Sequence, residues 1–339
     1  MAFVVGIEVT RQCNFRCRHC FVDAGKPRRR EAGTDEILTV LAELKGLGAA
    51  VVAWSGGEPL LREDLEHLTS AATGMGLQVG LVSNGFLASQ ERMTSLRKAG
   101  LAVVQISLDG STQRRASRFR QGPRAAFDRA MQAVRNSVAA GLQTYVCTLL
   151  TPETAPEIDE MVSLSRSLGA HGLRYAMWIP VGRAQGRRYR EREWATPGVA
   201  HFLEVLARED RRDGFRVLLD CPAGPLPWRR GMTCTAGGQT IYITADGNVY
   251  PCTALMAPAY RLGNLRRTPL RALLASPGMK RIHEQRARLK PRGTCADCAT
   301  WDVCHGGCPG RTVAVDGSLT RGALKGAMPV CLLRLHAPS

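Results

Sequence analysis

The sequence predicts an α/β fold, an open, partial (β/α)6 TIM-like barrel followed by a small cysteine-rich domain, and three observations predict it. Six apolar, strand-like runs alternate with amphipathic helical stretches between residues 4 and 177. Polar and glycine-rich residues follow each of the first four runs. Beyond residue 230 long helical patterns give way to cysteines at short intervals.

The strand-like runs are FVVGIEV, AAVVAWS, LQVGLVS, LAVVQISL, LQTYVCTLL and GLRYAMWI. Rich in Val, Ile and Leu without strict alternation, they suit a parallel sheet buried on both faces. Helical periodicity fills 34–47, 63–76, 88–98, 123–140 and 154–168. A βαβ unit takes about 30 residues, so six units account for the first 180 or so. Chemistry in such barrels sits on the loops after the strand C-termini. Here those loops carry CNFRCRHC after the first strand, SGGEP (Ser55–Pro59) after the second, Ser83-Asn84-Gly85 after the third and Ser107-Leu108-Asp109-Gly110 after the fourth. Three parts are expected: a barrel at 1–182, an Arg-rich connector at 183–229 with a helix near 194–212, and a cysteine-rich domain at 230–339. A domain that small needs metal staples, because its own core is slight.

Composition narrows the function. No apolar window reaches membrane-spanning length, and the N-terminal MAFVVGIEVT lacks a basic signal-peptide start, so the expected compartment is the cytoplasm. Twelve cysteines in a reducing compartment point to metal ligands or reactive thiols rather than disulfides. The net charge of +17, from 46 Lys and Arg against 29 Asp and Glu, allows two readings. One is charge spread over solvated faces; the other is a basic mouth for an acidic substrate. No stripe interleaves arginines with aromatics as nucleic-acid surfaces do, so a nucleic-acid partner is not expected.

Cys13, Cys17 and Cys20 form CxxxCxxC; further on come Cys234, Cys252, then Cys295-x2-Cys298-x5-Cys304-x3-Cys308, and Cys331. Thiolates at these spacings suit zinc or iron–sulfur chemistry. Zinc staples at both arrays are one reading. Against it, the first triplet lies on the catalytic rim and has no fourth Cys or His at zinc-finger distance, only His19 inside it. Cys147, in the fifth strand's apolar run, reads as a buried core thiol.

Taken together, CNFRCRHC, SGGEP, SNG and SLDG resemble the radical S-adenosylmethionine (radical SAM) enzymes, and the later cysteine spacing resembles their C-terminal SPASM domain. The resemblance implies that Cys13, Cys17 and Cys20 bind three irons of a [4Fe-4S] cube. The open fourth iron would take the amino and carboxylate groups of S-adenosylmethionine, whose reductive cleavage gives a 5′-deoxyadenosyl radical that abstracts hydrogen from substrate. It further implies that Gly56, Gly57 and Glu58 grip the methionine amino group and that His19 lies near the adenine. Ser83, Asn84, Ser107 and Asp109 would face the ribose and substrate. In the SPASM domain, Cys295, Cys298, Cys304 and Cys331 would hold an outer auxiliary cluster, and Cys234, Cys252 and Cys308 an inner one. The inner set is one ligand short: the position where some relatives place an extra cysteine is Thr240, leaving Cys221, solvent or substrate. Thr253 stands where sulfatase-maturing relatives carry a proton-accepting aspartate, which argues against that oxidation.

The leading expectation is modification of a ribosomally synthesised peptide by crosslinking, epimerisation or oxidative decarboxylation, with a flavodoxin- or ferredoxin-type electron donor. With the barrel beginning at residue 4, a leader peptide would be recognised by the barrel mouth or by a separate protein. The alternatives are a small carboxylate-rich substrate such as a tetrapyrrole side chain, and, more distantly, a zinc-stapled nucleic-acid-binding protein.

Overall fold

A computed structural model describes residues 3–27, 30–186, 189, 191–209, 214–220, 234–287, 296–298, 301–305 and 307–316. The first half alternates strands and helices: β1 (Phe3–Thr10), α1 (Thr34–Gly46), β2 (Ala49–Gly56), α2 (Leu65–Gly74), β3 (Gln78–Ser83), α3 (Gln90–Lys98), β4 (Leu101–Ser107), the short α4 (Gln113–Ala116), α5 (Ala126–Ala139), β5 (Gln143–Leu150), α6 (Ile158–Ser167) and β6 (Gly172–Met177). There follow α7 (Glu191–Trp194), α8 (Pro197–Glu209), β7 (Arg216–Leu219), β8 (Thr240–Ile243), β9 (Asn248–Tyr250), β10 (Gly263–Asn264), α9 (Leu270–Leu274), α10 (Pro277–Ala287), α11 (Trp301–Cys304) and α12 (Pro309–Asp316).

All the strands among the described residues join one sheet in the order β10-β9-β8-β1-β2-β3-β4-β5-β6-β7. The six expected strands are present and parallel, in sequence order. The sheet also extends past both ends of that set. β7, from within the expected connector, pairs parallel with β6, and β8 pairs parallel with β1, matching Gly6 to Tyr242. β9 and β10 then continue antiparallel, so the C-terminal region is hydrogen-bonded to the first strand of the barrel.

Local signals set the helix ends. In α1 the Gly33 N–H donates to the Glu36 carboxylate at 3.0 Å, Asp35 and Glu36 lie in the first turn and Lys45 in the last, charges that complement the helix dipole. Ser89 caps α3 by accepting from the Arg92 N–H at 3.2 Å. One stripe of α1, Ile37, Leu41 and Leu44, is buried in the same core as Val5, Ile7 and Val9 of β1. Each such side chain contributes about 1.5–3 kcal/mol. The alternate β1 residues, Gly6, Glu8 and Thr10, point to the other face. Trp54, wholly buried, donates its indole N–H to Thr69 of α2 at 3.0 Å, satisfying the one polar atom that its burial strands.

Candidate active site

The loop after β1 carries Cys13, Cys17 and Cys20 and is laced to three other loops. Cys13 N–H donates to Gly25 O at 2.9 Å, which folds the loop back on itself. Arg16 and Arg18 N–H groups donate to Gln121 O and Phe119 O, at 2.7 and 2.9 Å, binding the loop to the segment after α4. From the loop after β6, Arg183 reaches over: its backbone N–H meets Cys20 O at 3.0 Å, its Nε meets Cys17 O at 2.8 Å, and its Nη1 pairs with Asp23 at 2.7 Å. Gly182 makes the crossing possible. Its φ of +58° is left-handed, and a Cβ there would lie 2.4 Å from Cys20 O.

The three sulfurs share a setting that suits an iron–sulfur group. Phe15 N–H donates to Cys13 Sγ at 3.4 Å and Ala24 N–H to Cys20 Sγ at 3.3 Å; Arg120 Nη1 lies 3.9 Å from Cys17 Sγ. Every sulfur therefore receives an N–H, as a thiolate requires. Burial nevertheless pushes the Cys13 thiol up to about 11 and the Cys17 thiol up as well. A bound cation is what releases such protons. Cys13, Cys17 and Cys20 are the residues that would hold the cluster, which when bound supplies the electron that cleaves S-adenosylmethionine.

SGGEP closes on the same loop from β2. Gly57 N–H donates to Thr10 O and Glu58 N–H to Gln12 O, both at 2.8 Å. A Cβ on Gly57 would fall 2.1 Å from Gln12 O, so these glycines are required by the approach of the cysteine loop itself. Glu58 is wholly buried. Its carboxylate accepts from Ser83 Oγ (2.8 Å), Asn84 N–H (2.8 Å) and Leu60 N–H (3.1 Å). Burial raises its pKa, against the pull of these donors. Asn84 Nδ2 in turn donates to Asn14 Oδ1 at 2.8 Å, inside the CNFRC stretch. The second and third loops thus form one bracket around the first.

Asp109, 1% exposed, is turned inward. Its Oδ1 accepts from Leu149 N–H at 2.8 Å. Its Oδ2 lies 2.6 Å from Arg120 Nε, an ion pair by proximity rather than an aligned hydrogen bond, and 3.4 Å from His19 Nε2. Burial, opposed by Asp109, holds the His19 imidazole down at about 4, so it is neutral at physiological pH. For Arg120, burial works against the charge, and Asp109 followed by Cys17 outweigh it. Arg120 and Arg183 are the residues that sequence reasoning missed, since both lay in runs read only as scattered charge.

Inside the barrel is a cavity of about 260 Å³ whose lining includes Ser107, Cys147, Met177, Trp178 and, from the C-terminal region, Thr253. Cys147 is therefore not a core thiol, as expected from its apolar run. It is half-buried and faces this cavity, because a barrel strand that is apolar throughout still turns one face to the lumen. Its surroundings push the thiol up to about 12, burial being the largest cause.

In the C-terminal region Cys252 follows β9 and Cys308 precedes α12. Burial first, then the charges of Cys308 and, further down, Cys234, push the Cys252 thiol up to about 12, which places the three in one neighbourhood. Cys234 and Cys252 pack against a small core of Ala236, Leu255, Tyr260, Ile282 and Val313. Trp301 N–H donates to Cys298 O at 3.0 Å, and Cys304 ends α11. Thr240, on β8, bonds no cysteine in the described structure; its hydroxyl lies 3.4 Å from that of Thr235. Cys221, Cys295 and Cys331 lie outside the described residues.

A parallel barrel with a three-cysteine loop bracketed by SGGEP, joined to a cysteine-rich C-terminal region, defines a radical SAM enzyme with an iron–sulfur-binding SPASM domain. Comparison with known proteins agrees: residues 7–165 match the radical SAM superfamily and residues 234–299 match SPASM, the iron–sulfur cluster-binding domain. The chain belongs to this superfamily. It is 27% identical to the AdoMet-dependent heme synthase of Oleidesulfovibrio alaskensis, over 93% of this chain and 84% of that one. It is 28% identical to the mycofactocin maturase MftC of Mycobacterium tuberculosis, over 89% of this chain and 76% of that one. Among solved structures, anSMEcpe with bound AdoMet superposes with a TM-score of 0.77 at 18% identity, covering 98% of this chain and 96% of the other. That likeness speaks for the fold.

Proposed function

We propose that this enzyme modifies a ribosomally synthesised peptide through hydrogen abstraction by a 5′-deoxyadenosyl radical. The supporting observation is the lumen cavity, walled by the barrel on one side and by Thr253 of the C-terminal region on the other, with a maturase among the relatives. Such a chamber admits one side chain of an extended substrate while the remainder stays outside. Cys13, Cys17 and Cys20 would hold the cluster that binds S-adenosylmethionine, with Gly56, Gly57, Glu58, His19, Ser83, Asn84, Ser107 and Asp109 shaping its surroundings. Cys234, Cys252 and Cys308 would serve the inner auxiliary cluster, and Cys298 and Cys304, with Cys295 and Cys331, the outer one, for three [4Fe-4S] clusters in all. A flavodoxin- or ferredoxin-type protein in the cytoplasm would supply electrons.

A second reading, a tetrapyrrole or other carboxylate-bearing small molecule, is favoured by the heme synthase relative, matched across 93% of this chain. The deciding experiment incubates the reduced, reconstituted enzyme and S-adenosylmethionine with peptides encoded beside its gene and, in parallel, with porphyrin carboxylates. A mass change on a peptide supports the proposal. Turnover of the porphyrin alone would replace it with the second reading.

A further inference from the structure

Outside the lumen lies a second recess, of about 520 Å³, whose lining includes Arg16, Arg18, Arg118, Phe119, Trp178 and Tyr189. Arg16, Arg18 and Arg118 are exposed, and among the described residues none has an ion-pair partner. Arg18 Nε reaches only the Gln121 side-chain oxygen, at 3.2 Å. Elsewhere arginines meet carboxylates: Arg62 with Asp64, Arg92 with Glu66, Arg166 with Glu209, Arg174 with Asp220 and Arg266 with Glu36. The acidic side chain on the recess, Glu153, accepts from Tyr189 Oη at 2.6 Å. Arg183, which also lines it, is engaged by the cysteine loop and Asp23.

The backbone enforces this convergence of charge. The hydrogen bonds from Arg16 to Gln121 and from Arg18 to Phe119 run antiparallel, which ties the stretch carrying Arg16 and Arg18 to the one carrying Arg118, and all three line the recess. Three like charges gathered on one recess repel each other until an anion joins them. Trp178 lines both this recess and the lumen cavity, so the two adjoin at its indole.

We infer that this groove seats an acidic, extended stretch of the peptide substrate, its carboxylates on Arg16, Arg18 and Arg118 and its apolar side chains against Phe119, Trp178 and Tyr189. Alternate residues of an extended peptide lie about 7 Å apart, so its carboxylates can meet more than one of these arginines. Arginine forks pair with carboxylates in bidentate fashion. The inference rests on the peptide reading above and adds to it which peptides are taken and where they enter.

The test uses a fluorescein-labelled EAEAEAEA peptide, with KAKAKAKA as the opposite-charge control and coproporphyrin as the small-molecule arm. Anisotropy is read on the reconstituted full chain, the R16Q/R118Q double variant and Arg135→Gln, an exposed arginine on α5. The expected result is salt-sensitive binding of the acidic peptide, weakened at least tenfold in R16Q/R118Q and unchanged in Arg135→Gln. No binding, or binding indifferent to the double substitution in a variant of unchanged melting temperature, would overturn the groove. Binding of coproporphyrin alone, lost in the same variant, overturns the peptide as occupant. Acidic-peptide binding through these arginines with no peptide ever modified defeats the functional reading alone; peptide modification indifferent to them defeats the groove alone.

Discussion

The two cysteine arrays differ in what holds them. The first is laced into the barrel: N–H groups reach all three sulfurs, and Arg183 and the SGGEP backbone clasp the loop. Beneath it runs the main core of the barrel. In the second, Cys234 and Cys252 lean on a core of five buried residues. The first array sits on a fold with a large core of its own, whereas the second sits on a slight one, where metal bound by the cysteines would contribute more to folding.

The sharpest way to break this contrast is to empty each array in turn. Replacing Cys13, Cys17 and Cys20 by Ala is expected to abolish 5′-deoxyadenosine production, measured by chromatography. The melting temperature should move by only a few degrees, and a collapse of the barrel in this variant would show that both arrays are structural. By contrast, Cys252→Ser/Cys308→Ser should lower thermal stability further and bring protease cleavage into the region beyond residue 234. Equal melting temperatures for the two variants would erase the distinction.

Smaller effects sharpen it. Arg120→Met leaves Asp109 buried without its cationic partner, a change that costs about 3–5 kcal/mol; urea unfolding reads it, and a loss below 1 kcal/mol would mean that His19 and Leu149 suffice. Gly57→Ala sets a methyl 2.1 Å from Gln12 O, where backbone must move, and should cost about 3 kcal/mol along with most of the cleavage activity. Glu8 gives the mildest signal. Burial raises its pKa from 4.5 to about 7, so the folded state holds a proton that the unfolded chain releases between those values. Wild-type stability should therefore fall as pH rises from about 4.5 to 7 and level off above. Glu8→Gln removes that fall, gaining on wild type from near zero at pH 4.5 to about 3 kcal/mol at pH 8. A difference independent of pH would refute the assignment.

Much of this was legible in the sequence. Val- and Ile-rich runs gave the six parallel strands, and the polar residues after them gave the rim, because strand ends and loop chemistry are local signals. β7 and β8 were not legible, being four residues each and strands only because β6 and β1 offer open edges. Arg120 and Arg183 escaped for a similar reason: nothing beside them in sequence distinguishes them from arginines that face water, and Cys17, which both reach, lies 103 residues from one and 166 from the other. Cys147 was misread since apolar neighbours do not say which face of a barrel strand meets the lumen.

The pairing of Ile7 with Ile243 has a consequence in time. β1 leaves the ribosome before the other strands of this sheet, yet its second neighbour arrives some 230 residues later, on the order of ten seconds or more at ordinary rates of synthesis. Until then one flank of β1 is a bare edge, open to pairing with other chains, and the cysteines just beyond it lack the wall that β8 provides. Shortening the gene before residue 240 would make that passing condition permanent. A barrel expressed alone should therefore be the aggregating form of this protein, although Cys13, Cys17 and Cys20 are all present.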